Sequence, residues 1–148
     1  IAVGVIEISI SDASGMAMPK QVFEMMTELK RCYPQCKFIL HFHNTRGMGI
    51  ANVMAGMEAG ITWFDGSFAG TGGCPFVPGA AGNVSTEDIV HMCKEQGIET
   101  GINLDKIIAI GHKVERLIGH TGGSFVLRAG KNDSILLDMP KGQLDRQK

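Results

Sequence analysis

Long apolar runs are missing: no uninterrupted hydrophobic stretch approaches the ~20 residues that a membrane-crossing helix requires. An excess of either charge is missing too, with 14 basic residues against 15 acidic. Aromatics are sparse, with one Trp and one Tyr, and no basic stripe is interleaved with them, which argues against nucleic acid as a partner. No basic region precedes Ile1-Ala2-Val3-Gly4-Val5-Ile6, so these residues do not resemble a secretion signal; they read like a strand entered midway. The four cysteines, Cys32, Cys36, Cys74 and Cys93, show no paired framework and no CxxC. Cys32 and Cys36 read as thiols in a helix-to-strand turn of a reduced, cytoplasmic protein. No GK[ST] follows the glycines, which excludes a P-loop.

What remains is 148 residues, enough for one domain with its own core, and a strand–helix pattern that repeats. Residues 3–10 are nearly all apolar and rich in β-branched side chains, as in a strand buried on both faces. Ser11 to Gly15 read as a loop. Pro19 suits the first turn of a helix whose stripe is Val22, Phe23, Met26 and Leu29, and Tyr33-Pro34 stops it. A second strand over residues 37–43 is followed by a helix starting near Arg46-Gly47, with Gly60 as its C′ residue. Gly47, Gly49 and Gly56 each cost that helix ~1 kcal/mol relative to alanine, so close packing against the sheet is the reason to keep them. A third strand is expected over residues 61–68. Ser85-Thr86-Glu87-Asp88 has capping-box spacing and opens a helix that Gly97 stops. Asn103 caps another helix, to about Ile118, with Leu104, Ile107, Ile108, Ile110, Val114, Leu117 and Ile118 on its apolar face. Phe125-Val126-Leu127 and Ile135-Leu136-Leu137 read as short packed segments, and residues 141–148 as a frayed end.

Three such repeats imply a parallel sheet with right-handed crossovers, whose ligand site lies at the carboxyl ends of the strands. Asp12 follows the first strand, His41 and His43 end the second, and Cys74 and Asn83 lie in the glycine-rich loop after the third. Residues two apart on a strand share a face, so the two imidazoles can hold one metal ion or one substrate. Taken singly, each residue has a plainer reading: packed histidines, an inert buried thiol, a turn asparagine. Their convergence on one rim favours chemistry. His91, His112 and His120 read as solvent-facing, and the methionine pairs Met25-Met26 and Met54/Met57 as core.

His41-Phe42-His43-Asn44-Thr45, followed by a helix with Ala51-Asn52, resembles the DRE-TIM metallolyase superfamily. The run Ala69-Gly70-Thr71-Gly72-Gly73-Cys74-Pro75-Phe76 and the stretch from Gly79 to Asp88 narrow the resemblance to the 3-hydroxy-3-methylglutaryl-CoA lyase family. That resemblance spans roughly residues 5–112 and implies the last three βα units of a (β/α)8 TIM barrel over residues 1–118, with a tail over 119–148. It implies His41, His43 and Asn83 as ligands of a divalent metal (Mg²⁺, Mn²⁺ or Co²⁺). It implies Cys74, Asp12 and His41 as catalytic groups, and an acyl-CoA substrate cleaved to acetyl-CoA and acetoacetate. Two departures stand out. The lyases usually have Gly-Asp-Thr at Ser11-Asp12-Ala13 and Asp at Asn44, and Asn44 is commoner in the related Claisen-type synthases. A synthase or an aldolase of the superfamily is therefore the alternative, together with a purely structural half. The family's Asp-Arg-Glu signature has no equivalent here, and a closed barrel takes ~200 residues or more. The expectation is a C-terminal piece of a longer protein, or a chain completed by another chain or by oligomerisation.

Overall fold

The computed structural model describes residues 3–73 and 76–132. Three strands, β1 (Glu7–Asp12), β2 (Lys37–Phe42) and β3 (Trp63–Asp65), form one parallel sheet in that order. Between them run α1 (Pro19–Cys32) and α2 (Gly49–Glu58), and after them α3 (Thr86–Glu95), α4 (Leu104–Ile118) and α5 (Phe125–Ala129). Phe68–Gly70 forms a single 3-10 turn. The topology is the expected α/β pattern, and each crossover helix follows from its sequence. Pro19 sits in the first turn of α1, and Val22 and Met26, four residues apart, are its buried stripe. Gly60 lies just past α2 with φ +80, the left-handed exit that only glycine adopts cheaply.

One face of the sheet is sealed and the other is open. Phe38, Leu40 and Phe42 of β2 point into a core shared with Val22, Met26, Val53, Val84 and Ile89. Full burial of side chains of this size stabilises by about 1.5–3 kcal/mol each. The opposite face carries Glu7, Ser9 and Ser11 of β1, Lys37, Ile39 and His41 of β2, and Trp63 and Asp65 of β3, laterally in register. Lys37 there lies 3.6 Å from the Trp63 ring centre and 3.3 Å from Glu7 Oε1.

The expectation that β1 is buried on both faces is therefore corrected. Its residues alternate exposed and half-buried, because nothing in the described residues covers the second face. β1 also begins later than expected and runs on to include Asp12. The second helix starts at Gly49 rather than near Gly47, because Gly47 has φ +73 and cannot be helical. A Cβ on Gly49 would overlap the Val84 side chain, and one on Gly56 would meet Leu40 Cδ1 at 2.7 Å, so close approach explains both of those glycines but not Gly47. The third strand is only three residues long; beyond it a Cβ on Gly66 would lie 2.8 Å from Val84 O, and Ser67 bridges Ser85 in parallel. His91 is not solvent-facing: its side chain is 17% exposed. The expected apolar face of α4 is half right. Leu104 and Ile107 are buried, while Leu117 is 85% exposed. Met26 is core, whereas Met25 is exposed. Residues 135–137 and 141–148 lie outside the described residues. Phe125–Ala129 forms a short helix with Val126 and Leu127 buried, as the apolar triplet indicated. Among the described residues no helix is long and apolar enough to cross a membrane.

Candidate active site

The carboxyl ends of the strands gather four of the five residues singled out from sequence. Cys74 lies outside the described residues. His41 and His43 stand on the same side of the end of β2, with ring centres 5.2 Å apart and planes crossed at 67°. Asn83 arrives from the far side of the glycine-rich loop. It forms an antiparallel bridge with His43, flanked by Asn44 N–H donating to Gly82 O (3.0 Å) and Val84 N–H to Phe42 O (2.9 Å). The loop after β3 thus folds back across the end of β2.

The orientation of the Asn83 amide is fixed. Its Nδ2 donates to Thr71 O at 2.6 Å and weakly to Gly72 O at 3.4 Å, so its Oδ1 is the end turned away from the loop. That oxygen is buried and has no protein partner, and His43 Nδ1 is in the same condition. Two buried polar atoms without partners, on residues joined by a backbone bridge, are costly unless something satisfies them. Burial, and then the neighbouring His41, push the His43 imidazole below its ordinary range, while the Asp12 charge opposes. His43 is accordingly neutral at neutral pH, the form in which imidazole ligates a metal.

His41 has a partner that the sequence did not disclose. Its Nδ1 makes a short contact with the Asp65 carboxylate, directly across the β2–β3 register. A carboxylate on Nδ1 sets the tautomer and leaves Nε2 free for a cation or a proton. In the sequence Asp65 is only one residue of the expected third strand. Twenty-four residues separate it from His41, and only the lateral pairing of strands identifies it.

Asp12 ends β1 with both carboxylate oxygens engaged. Oδ1 accepts from Ser14 Oγ (3.0 Å) and Met16 N (3.0 Å), and Oδ2 from Ala17 N (2.9 Å). Burial works to raise its pKa, but the hydrogen bonds from Ala17, Met16, Ser14 and Gly15 outweigh it and hold the carboxyl below the usual range. Asp12 is therefore an anion that organises its own loop and faces the histidine pair electrostatically. Asn44, the departure noted from sequence, accepts the Gly49 N–H through Oδ1 (3.0 Å) and so ties down the start of α2.

The donor set of two imidazole nitrogens and one amide oxygen suits a hard or borderline divalent cation. Among the described residues no group of three or more His, Cys, Asp or Glu side chains is spaced to hold a metal. The Asn83 amide oxygen and His43 Nδ1, both buried and without a partner, are atoms that could complete such a set.

Behind the site, α3 begins with two buried carboxylates. Ser85 Oγ accepts the Asp88 N–H (3.0 Å), the first half of the expected capping box. The second half fails. The Asp88 side chain does not reach back to Ser85; it accepts from Ser124 Oγ (2.9 Å), Phe125 N (3.0 Å) and Val126 N (2.8 Å) and so caps α5 instead. Glu87 is fully buried and takes the Ala69 N–H with both oxygens, at 3.0 and 3.1 Å.

The HMGL-like family profile matches residues 1–114. The chain belongs to the HMGL-like family. It is 41% identical over 116 residues to a hydroxymethylglutaryl-CoA lyase of Bacillus subtilis, covering 78% of this chain and 39% of that protein. It is 38% identical over 130 residues to the (R)-citramalyl-CoA lyase of Chloroflexus aurantiacus, covering 88% and 41%. The solved structure of an HMG-CoA lyase from Acinetobacter baumannii, in complex with coenzyme A and 3-methylmalate, superposes with a TM-score of 0.82 at 44% identity, covering 88% of this chain and 43% of that one. The chain thus spans about two fifths of the length of these relatives. Its α/β fold, with a three-stranded parallel sheet, matches that part of an HMG-CoA lyase, within the DRE-TIM superfamily.

Proposed function

We propose that this HMGL-like chain carries the cation-binding and proton-transfer part of a hydroxymethylglutaryl-CoA lyase. It would form the last three βα units of a (β/α)8 barrel over residues 1–118, with a C-terminal segment over 119–148. The remaining strands come from elsewhere in a longer protein or from another chain. The observation that carries the reading is that His43 Nδ1 and Asn83 Oδ1, on residues bridged through their backbones, are both buried and unsatisfied, with the Asp65-anchored His41 ring next to His43. These three side chains would hold a divalent cation, Mg²⁺ or Mn²⁺ first and Co²⁺ as an alternative. When bound, that ion supplies Lewis acidity at the substrate's C3 hydroxyl.

The chain's own residues do the rest. His41, held through Nδ1 by Asp65, would present Nε2 to the cation, and the anionic Asp12 is the acceptor for the hydroxyl proton within the same rim. Loss of that proton lets the C2–C3 bond break, giving acetoacetate and the enolate of acetyl-CoA. Cys74 returns a proton to C2, as a thiol of ordinary acidity (pKa about 8.5) can near neutral pH. The open face of the sheet leaves room above the histidines for the thioester. A cytoplasmic setting belongs to the same proposal.

A citramalyl thioester is the second reading, favoured by the identity with the Chloroflexus aurantiacus lyase. The synthase or aldolase reading gains nothing from Asn44, because its role at the start of α2 uses only a carbonyl oxygen, which Asp also has. The test is an assay of the full-length protein with Mg²⁺ or Mn²⁺. Acetoacetate from 3-hydroxy-3-methylglutaryl-CoA is expected, with His41→Ala reducing turnover by about 10²–10⁴-fold. Condensation of acetyl-CoA with a 2-oxoacid, and no thioester cleavage, would overturn the reading. For the 148-residue chain alone, weak metal binding and little turnover are expected.

A further inference from the structure

The stretch from Glu115 to Val126 lies beyond the residues matched by the family profile, and the function proposed above makes no use of it. It packs against the root of the glycine-rich loop. Gly123 N–H donates to Ala69 O at 2.7 Å. Gly122 lies against the same carbonyl so closely that a Cβ there would overlap it and come within 2.8 Å of Ala69 Cβ. Gly122 N–H is in turn held by Glu115 Oε1 at 2.9 Å, and the segment is pinned below by the Asp88 cap on α5. Ala69 is the one non-glycine residue among those described with positive φ, at 55°. A left-handed alanine persists only where its surroundings over-determine it. Here Glu87 holds its N–H and Gly123 its carbonyl. Two residues on, Thr71 O accepts both Ser67 Oγ (2.6 Å) and Asn83 Nδ2 (2.6 Å), and the second of these holds the NH₂ end of the Asn83 amide to the loop and leaves Oδ1 unpartnered.

We propose that Glu115, Gly122 and Gly123 are positioning residues, a strap that locks Ala69 in its left-handed turn so that Thr71 O captures Asn83 Nδ2 and leaves Asn83 Oδ1 directed at the cation site. The strap rests on the cation-site reading above. It acts on the ligand set from behind, without touching substrate.

The test is equilibrium titration of metal-stripped full-length protein with Mn²⁺, following free Mn²⁺ by electron paramagnetic resonance well below the melting temperature. Gly122→Ala and Glu115→Ala should each weaken Mn²⁺ binding about tenfold, as expected when a group supporting a ligand is lost. Glu115→Gln should restore near wild-type binding, because its amide oxygen still accepts the Gly122 N–H. Wild-type affinity in both Gly122→Ala and Glu115→Ala overturns the strap. So does a Glu115→Gln protein as weak as Glu115→Ala, which would point to charge rather than the hydrogen bond. If Gly122→Ala does not fold, as judged by circular dichroism, the Glu115 pair decides alone. His43→Ala is the separate control. If it binds Mn²⁺ as wild type does, the cation site itself is wrong and the strap falls with it; if it loses binding while the strap variants do not, only the strap is refuted.

Discussion

Replacing Asn83 by aspartate sets two intuitions against each other. A carboxylate is a stronger ligand for a hard cation than an amide, so Asn83→Asp ought to tighten metal binding. The structure says the reverse. The amide's NH₂ end donates to Thr71 O at 2.6 Å and lies 3.4 Å from Gly72 O. An ionised carboxylate would place a negative oxygen against two carbonyl oxygens and lose the one strong hydrogen bond, to Thr71 O. One lost hydrogen bond at a part-buried site is worth about 1 kcal/mol, and the uncompensated charge costs a further 1–3 kcal/mol or so. Together that is roughly a 30- to 1,000-fold loss of affinity at 1.4 kcal/mol per decade, before any gain in ligand strength. The variant has one escape: a proton on the inner oxygen restores a donor toward Thr71 O and leaves a carbonyl oxygen for the metal. Its affinity should therefore improve as pH falls, until His43 protonates. Wild-type affinity only declines over the same range. Mn²⁺ titrations of full-length wild type and Asn83→Asp across pH 5.5 to 8.5 (about three units, bracketing imidazole titration) test both the magnitude and the opposite slopes. Tighter binding by Asn83→Asp at the alkaline end would refute the assigned amide orientation, and with it the claim that Oδ1 faces the ion.

Two further outcomes concern the framework behind the site. Gly111→Ala in α4 gains up to ~1 kcal/mol of helix propensity. The new methyl, however, would overlap Glu87 Oε1 and come within 2.7 Å of Leu127 Cδ1, both in packed, buried surroundings. Overpacking of about 1–3 kcal/mol wins, so urea denaturation should show a lower midpoint, and a higher one would contradict the packing. Glu87 also predicts a pH slope. Burial raises its pKa first and most, against the Ala69 hydrogen bonds, so folding favours the protonated form. The stability it contributes is fully present below its unfolded value near 4.5 and is lost as pH rises through the higher folded value. Glu87→Gln keeps an acceptor for Ala69 N–H and should flatten stability over that window; an unchanged slope would show that the burial does not act as described. Asp12 runs the other way. Its lowered pKa gives stability present above 3.8 and lost as pH falls through the folded value, so Asp12→Asn should flatten the acid limb.

The sequence by itself determined the order and type of the elements, because these are encoded locally. Pro19, Asn103 and Gly60 mark helix ends through φ preference and capping hydrogen bonds available within a few residues. The spacing of His41 and His43 puts them on one side of a strand whichever strands lie beside it. Tertiary structure decided everything lateral. The pairing of His41 with Asp65 depends on strand register, and the meeting of Asn83 with His43 on how a long loop folds back. Asp88 looked like half of a local capping box, yet it serves a helix 36 to 38 residues away, because its short side chain reaches Ser124 and Val126 once α5 docks there. β1 reads as doubly buried because an apolar strand carries no mark of which neighbour covers its second face. Periodicity fixes which way a side chain points, and only the assembled fold fixes what it meets.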